Sequence, residues 1–137
     1  MKKIVLTSIL LTFYCAVIAQ TELEKVKSTI NDYMEGTANG MPEIVTNAFH
    51  KDLKLYHVKN GELQVWEGKN YIKNIKKGKK SNRIGKIISV DIENNAAMAK
   101  LEIKMPDYKR VYTDYLLLLK VKNEWKIIHK SFTYRKL

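Results

Sequence analysis

The chain has 137 residues, a formal net charge of +11 and a hydrophobic fraction of 45%, which suits one domain with a core of its own. Its only cysteine, Cys15, lies in the leading segment, so the rest has no thiol for a disulfide, a zinc–thiolate site or a cysteine nucleophile. The surplus of Lys and Arg admits nucleic acid, anionic lipid or polysaccharide as partners, but a solubilising surface is the simpler account.

Lys2 and Lys3, then an almost wholly apolar run from Ile4 to Ala19, read as a signal peptide over 1–19. Val17-Ile18-Ala19 supplies the cleavage positions and Gln20 begins the mature chain. The run is too short and too abruptly polar afterwards for a stable membrane anchor. Phe13-Tyr14 ahead of Cys15 lacks the small residue that lipoprotein processing requires. Loss of Lys2 and Lys3 takes the charge from +11 to +9 and leaves an exported domain, 20–137, periplasmic or secreted.

Thr21-Glu22-Leu23-Glu24 has the form of a capping box. Leu23, Val26, Ile30, Tyr33 and Met34 follow at helical spacing, predicting a helix that ends at Gly36. Pro42 starts a second, short helix with Ile44, Val45, Ala48 and Phe49 inward, ending near His50. There the imidazole would cap the dipole.

Strand character runs from Asp52 to Lys59, and Asn60-Gly61 is a strong hairpin turn before the return strand Glu62 to Trp66. A two-residue turn sets Val58 against Leu63, His57 against Gln64 and Leu55 against Trp66. Gly68 breaks the strand, and Asn70 to Lys77 predicts a third helix with Tyr71, Ile72 and Ile75 inward. After the basic segment 69–83 come strands Ile84 to Glu93 and Ala96 to Met105, joined by a turn at Asn94-Asn95 and alternating as half-buried antiparallel strands do. Ile88, Val90 and Ile92 form the inner face of the first; Ala97, Ala99, Leu101 and Ile103 form that of the second. Pro106-Asp107 turns into a final hairpin around Lys122-Asn123. Its first strand, Val111 to Val121, is apolar on both phases, so both faces should be covered. The whole is an α+β fold with helices on one face of a bent sheet.

Asp32-Tyr33-Met34-Glu35-Gly36, Ala48-Phe49-His50, Asp114-Tyr115-Leu116 to Lys120 and Trp125-Lys126-Ile127, in this element order, resemble the nuclear-transport-factor-2-like superfamily. Within it the likeness is to the bacterial putative lumazine-binding group, over essentially the whole mature chain. The resemblance implies a cystatin-like cone: a strongly bent antiparallel sheet with about three N-terminal helices on its concave face. It also implies a small-ligand pocket between sheet and helices, and a homodimer through the sheet. Members include ketosteroid isomerases, dehydratases, polyketide cyclases and non-catalytic binding domains, and the fold alone does not choose among them.

Pairing across Lys122-Asn123 sets Asp114 opposite Ser131 and Leu116 opposite His129, making Asp114 and His129 diagonal neighbours. The carboxylate could orient the imidazole as a general base, the arrangement of a cofactor-free isomerase or dehydratase. Alternatively the two are an ion pair on an outer, dimer-forming face, with Tyr115, Leu117, Leu119, Ile128 and Phe132 turned to the helices. His57, Gln64 and Trp66 could clamp a planar ligand, or Trp66 could simply close the core. Tyr33 and Tyr115 are further ligand-binding candidates, Tyr33 also being suited to a plain core position. The three histidines are not at metal-ligand spacing, and no phosphate loop, nucleophile elbow or dinucleotide fingerprint occurs. No metal, cofactor or nucleic-acid partner is therefore expected. The expectation is an exported, non-catalytic small-ligand-binding domain, with the proton-transfer enzyme, using Asp114 with His129 or His57, as the alternative.

Overall fold

The computed structural model describes residues 21–137, and the signal-peptide expectation lies outside them. Helix α1 covers 21–38, with Val26, Ile30 and Tyr33 fully buried and Met34 nearly so. Burying each aliphatic side chain of that stripe contributes about 1.5–3 kcal/mol against exposure. Gly36 lies inside this helix and does not end it. A Cβ there would stand 2.6 Å from Val45 Cγ2, so the glycine is the point where the next helix, which carries Val45, approaches α1. The chain turns instead at Gly40, in the left-handed region at φ 65°.

Helix α2 (Pro42–Ala48) starts on its proline as expected and ends before Phe49, where strand β1 (Phe49–Lys59) already begins. His50 is thus a strand residue, its Nδ1 accepting from the Asp52 amide at 3.3 Å, and not a helix cap. β2 (Glu62–Glu67) pairs with β1 in the expected register, and Asn60 adopts φ 54° in the turn. α3 (Gly68–Lys73) is shorter than the expected helix and opens on Gly68. β3 (Ile84–Glu93), β4 (Ala96–Met105), a 3-10 turn at Pro106–Tyr108, β5 (Arg110–Val121) and β6 (Glu124–Lys136) complete the chain.

The six strands run in the order β2-β1-β6-β5-β4-β3, antiparallel except where β1 meets β6. The helices cover one face of this curved sheet. Lys122 and Asn123 take φ 48° and 66°, the two left-handed residues of a tight hairpin turn.

Two bulges alter the faces read from alternation. One lies between Ile87 and Ser89, so Ile87 and not Ile88 joins Val90 and Ile92 against the core, and Ile88 is exposed. The other lies in β6 opposite Leu117 and Leu118: Leu118 pairs with Ile127, but Leu117 pairs with His129. The expected register holds up to Ile127 and slips by one beyond it. Asp114 therefore faces Phe132 and Leu116 faces Lys130, which turns Asp114, Lys130 and Phe132 inward and His129 and Ser131 outward.

Glu22 ties α1 to the closing hairpin. Its Oε2 accepts from Trp125 Nε1 at 2.8 Å and pairs with Lys120 Nζ at 3.0 Å, and Oε1 accepts from Lys25 Nζ at 3.0 Å. Lys120 first, then Lys25 and Trp125, hold its carboxyl down at about 2. A carboxyl depressed in the folded state contributes stability above its ordinary value near 4.5, and that contribution fades as pH falls from there toward 2. Glu22→Gln is expected to flatten the decline of the melting temperature between those pH values. A wild-type slope retained by the variant would contradict the tie.

Candidate functional site

Side chains from four separate parts of the chain meet at one phenol oxygen. Tyr33 Oη donates to Asp114 Oδ2 at 2.8 Å and accepts from Lys130 Nζ at 2.6 Å and Arg83 Nη2 at 2.7 Å. Lys130 Nζ also pairs directly with Asp114 Oδ2. Asp114 is fully buried and Lys130 is 4% exposed, so neither charge has bulk water to fall back on.

The local folding explains the meeting. Tyr33 sits on the buried stripe of α1, and the β6 bulge brings Lys130 to the same face of the sheet as Asp114. Arg83 directly precedes β3, at the end of a segment clasped to the α1–α2 junction. Gly78 N–H donates to Gly40 O and Ser81 N–H to Ala38 O, both at 2.8 Å.

A cavity of about 200 Å³ opens over this network. Asp114, Lys130 and Arg83 contribute its charged part, and Trp66, Tyr71, Met105, Tyr112 and Phe132 contribute the walls. Trp66, Tyr71, Arg83 and Met105 also border an outer hollow that carries Lys76, Lys79 and Lys80. Asp114 Oδ1 and Arg83 Nε are buried with no hydrogen-bond partner within the protein.

Among the described residues, Arg83 has no carboxylate at ion-pair distance; its guanidinium meets Tyr33 Oη and, at 3.4 Å, Tyr71 Oη. Burial opposes its charge, but the two phenols and Asp114 raise its pKa above the usual arginine value. Burial pushes the Tyr33 phenol well up, Asp114 adding to this and Arg83 opposing it, which keeps the proton it donates to Asp114. Burial acts the same way on Tyr71, yet Arg83 and Lys130 outweigh it and hold that phenol below the ordinary tyrosine value. Two cations and one carboxylate leave the network with a surplus of positive charge.

Of the residues singled out from sequence, Tyr33, Asp114 and Trp66 belong to this site. His57 lies behind the wall, its ring 4.8 Å edge-on from Trp66 and 4.8 Å from Phe132, with Nε2 buried and unpartnered. Gln64 pairs with His57 across the hairpin, half-buried, and lines neither hollow. The expected Asp114–His129 couple does not form. His129 is on the other side of the sheet, stacked on Tyr56 at 4.7 Å with Nε2 2.6 Å from Ser131 Oγ. Tyr115, Leu117 and Leu119 are exposed there too, not turned to the helices, because β5 buries the alternate residues Asp114, Leu116 and Leu118.

Lys130, Arg83 and Tyr71 were not foreseen as site residues. Arg83 looked like the end of a solvated run, which describes Lys76, Lys77, Lys79 and Lys80 well, all exposed. The one available signal for Lys130 was a charge inside a strand whose neighbour is apolar on both phases. No group of three His, Cys, Asp or Glu residues suited to a metal occurs among the described residues, nor any helix long and apolar enough to cross a membrane.

The family model described as putative lumazine-binding matches residues 21–133. Aldolase FrzH from Cladobotryum sp is 25% identical over 116 residues, covering 84% of this chain and 93% of that protein. Among solved structures, a protein of unknown function from Silicibacter pomeroyi, described as NTF-2 like, has a TM-score of 0.75 at 17% identity, covering 85% of this chain and 98% of that one. An NTF2-like protein of unknown function from Methylobacillus flagellatus scores 0.73 at 24% identity, covering 84% and 93%. A putative ketosteroid isomerase from Shewanella frigidimarina scores 0.59 at 14% identity, covering 80% and 94%.

Proposed function

The chain belongs to the putative lumazine-binding family, with the nuclear-transport-factor-2-like fold, and on that premise we propose that it is an exported domain that binds a small molecule in the cavity between sheet and helices. One observation carries this: two buried polar atoms, Asp114 Oδ1 and Arg83 Nε, lack partners in the protein and belong to residues of an aromatic-walled cavity. Buried polar atoms are ordinarily satisfied, and a pocket with a few convergent polar groups is what small-ligand sites present.

A second reading is favoured by the same carboxylate. Lys130 and Tyr33 hold Oδ2 and leave Oδ1 free to accept a proton from carbon beside a ligand carbonyl. Arg83 would stabilise the oxyanion that forms, and the proton would return from Asp114 to the product, with no cofactor. The names of two similar proteins, an aldolase and a putative ketosteroid isomerase, agree in kind with carbonyl chemistry. His129 has no part in it.

The proposal includes a homodimer through the face away from the helices, where Met98, Tyr115, Leu117 and Leu119 are 57, 50, 46 and 38% exposed on neighbouring strands. Native mass spectrometry on protein isolated gently from its own cell envelope fraction tests these points together. A dimer of chains beginning at Gln20 with a retained small molecule is expected. A monomer at high concentration would remove the dimer, an intact leader the export, and failure to retain or take up any small molecule the pocket. Carbon-bound deuterium in the ligand after incubation in heavy water would mark the proton-transfer reading; its absence leaves a binder.

A further inference from the structure

From the unbalanced charge of the cavity we infer that its ligand is a small organic anion, a single-ring carboxylate, whose acid group sits against Arg83; this rests on the small-ligand reading of the same site. Arg83 is half-buried with its Nε fully so, and a guanidinium withdrawn from water in this way is normally paired with an acid, because neutral partners replace little of its lost hydration. Arg83 instead contacts two phenol oxygens, while the sole carboxylate of the network is already matched by Lys130. Its Nε–H is buried and unengaged, and a planar guanidinium offers that edge as a two-pronged donor to a carboxylate.

The remaining features agree on the rest of the ligand. At about 200 Å³ the cavity is smaller than the pockets of roughly 300–1,000 Å³ that hold drug-sized molecules, which points to one ring. Trp66, Tyr112 and Phe132 would flank it. Asp114 Oδ1, which can only accept while ionised, calls for a donor such as a hydroxyl on that ring. The outer hollow adds Lys76, Lys79 and Lys80 with no acidic side chain among its lining residues, so its field draws anions toward Arg83.

The test is calorimetric titration of the mature chain with a panel of single-ring acids, 4-hydroxybenzoate among them, each beside its isosteric neutral amide. Amide signals of Trp66 and Tyr112 locate the binding. At low salt each acid that binds should do so about tenfold or more tightly than its amide, the scale of one charge-assisted hydrogen bond. Arg83→Gln should bring each pair to within about twofold, by weakening the acid far more than its amide. Should that variant not fold, Lys79→Gln/Lys80→Gln, at exposed positions, is expected to weaken acid binding, and with it the preference over the amide, at low salt only. Equal binding of acid and amide, or an acid preference indifferent to these changes, overturns the anion and spares the pocket. Failure of both panels to shift Trp66 and Tyr112 overturns both.

Discussion

Asp114→Leu is expected to cost about 3–5 kcal/mol of folding stability, because it strands Lys130 as a buried cation beside a phenol and leaves the half-buried Arg83 with no carboxylate near it. Lys130→Met should be nearly as damaging, since it leaves the Asp114 carboxylate to Tyr33 and the more distant Arg83. Small domains are stable by only about 5–15 kcal/mol, so either change consumes a large part of the whole. The double variant Asp114→Leu/Lys130→Met should recover most of the loss: two apolar side chains of similar volume need no mutual compensation. Urea unfolding of the three variants at neutral pH measures this, provided the slope with denaturant is unchanged. If the double variant lost as much as the two singles together, packing and not charge pairing would be responsible. That result would remove the electrostatic account of the site's floor.

Gly40→Ala is expected to cost about 2–4 kcal/mol, from left-handed backbone strain and overpacking together. Gly40 has φ 65°, and an added Cβ would stand 2.6 Å from Lys76 O, 2.6 Å from Lys79 N and 2.7 Å from Lys79 O. All three are backbone atoms, so no rotamer change relieves the clash. The segment that must move is the one that leads to Arg83, held by the Gly78–Gly40 and Ser81–Ala38 hydrogen bonds. Preference for acids over amides should therefore weaken along with stability. Thermal melting and the same acid–amide titration check the two effects. A variant as stable as wild type would show that the loop accommodates the methyl by moving away.

The difference between Gly36 and Gly40 shows how far local chemistry reaches. Both are glycines near a helix end, and only one has the positive φ that stops a helix. The other makes room for Val45, a residue nine positions away, and no local rule anticipates that contact. The β5–β6 hairpin teaches the same lesson at the site. Its turn residues and the pairing as far as Ile127 follow from turn chemistry. Beyond it, one extra residue reverses which side chains of β6 face the helices. Ile128, His129 and Lys130 carry no local mark of the bulge, so alternation offered His129 to the site where the structure offers Lys130.

By itself the sequence determined the elements, the antiparallel pairings around Asn60-Gly61, Asn94-Asn95 and Lys122-Asn123, and the inward stripes of α1 and β4. These depend on periodicity and backbone preference within a few residues. It also placed Tyr33, Asp114 and Trp66 among the candidates, since polar or aromatic groups on apolar faces stand out. Only the tertiary structure decided that Arg83 and Lys130 join them, 50 and 97 residues from Tyr33 in the chain. The physical reason is that a buried charge is set by what surrounds it in space. Whether a lysine or arginine is solvated, paired or left in want of an anion depends on a register slip and a clasped loop, and neither is written in the residues beside it.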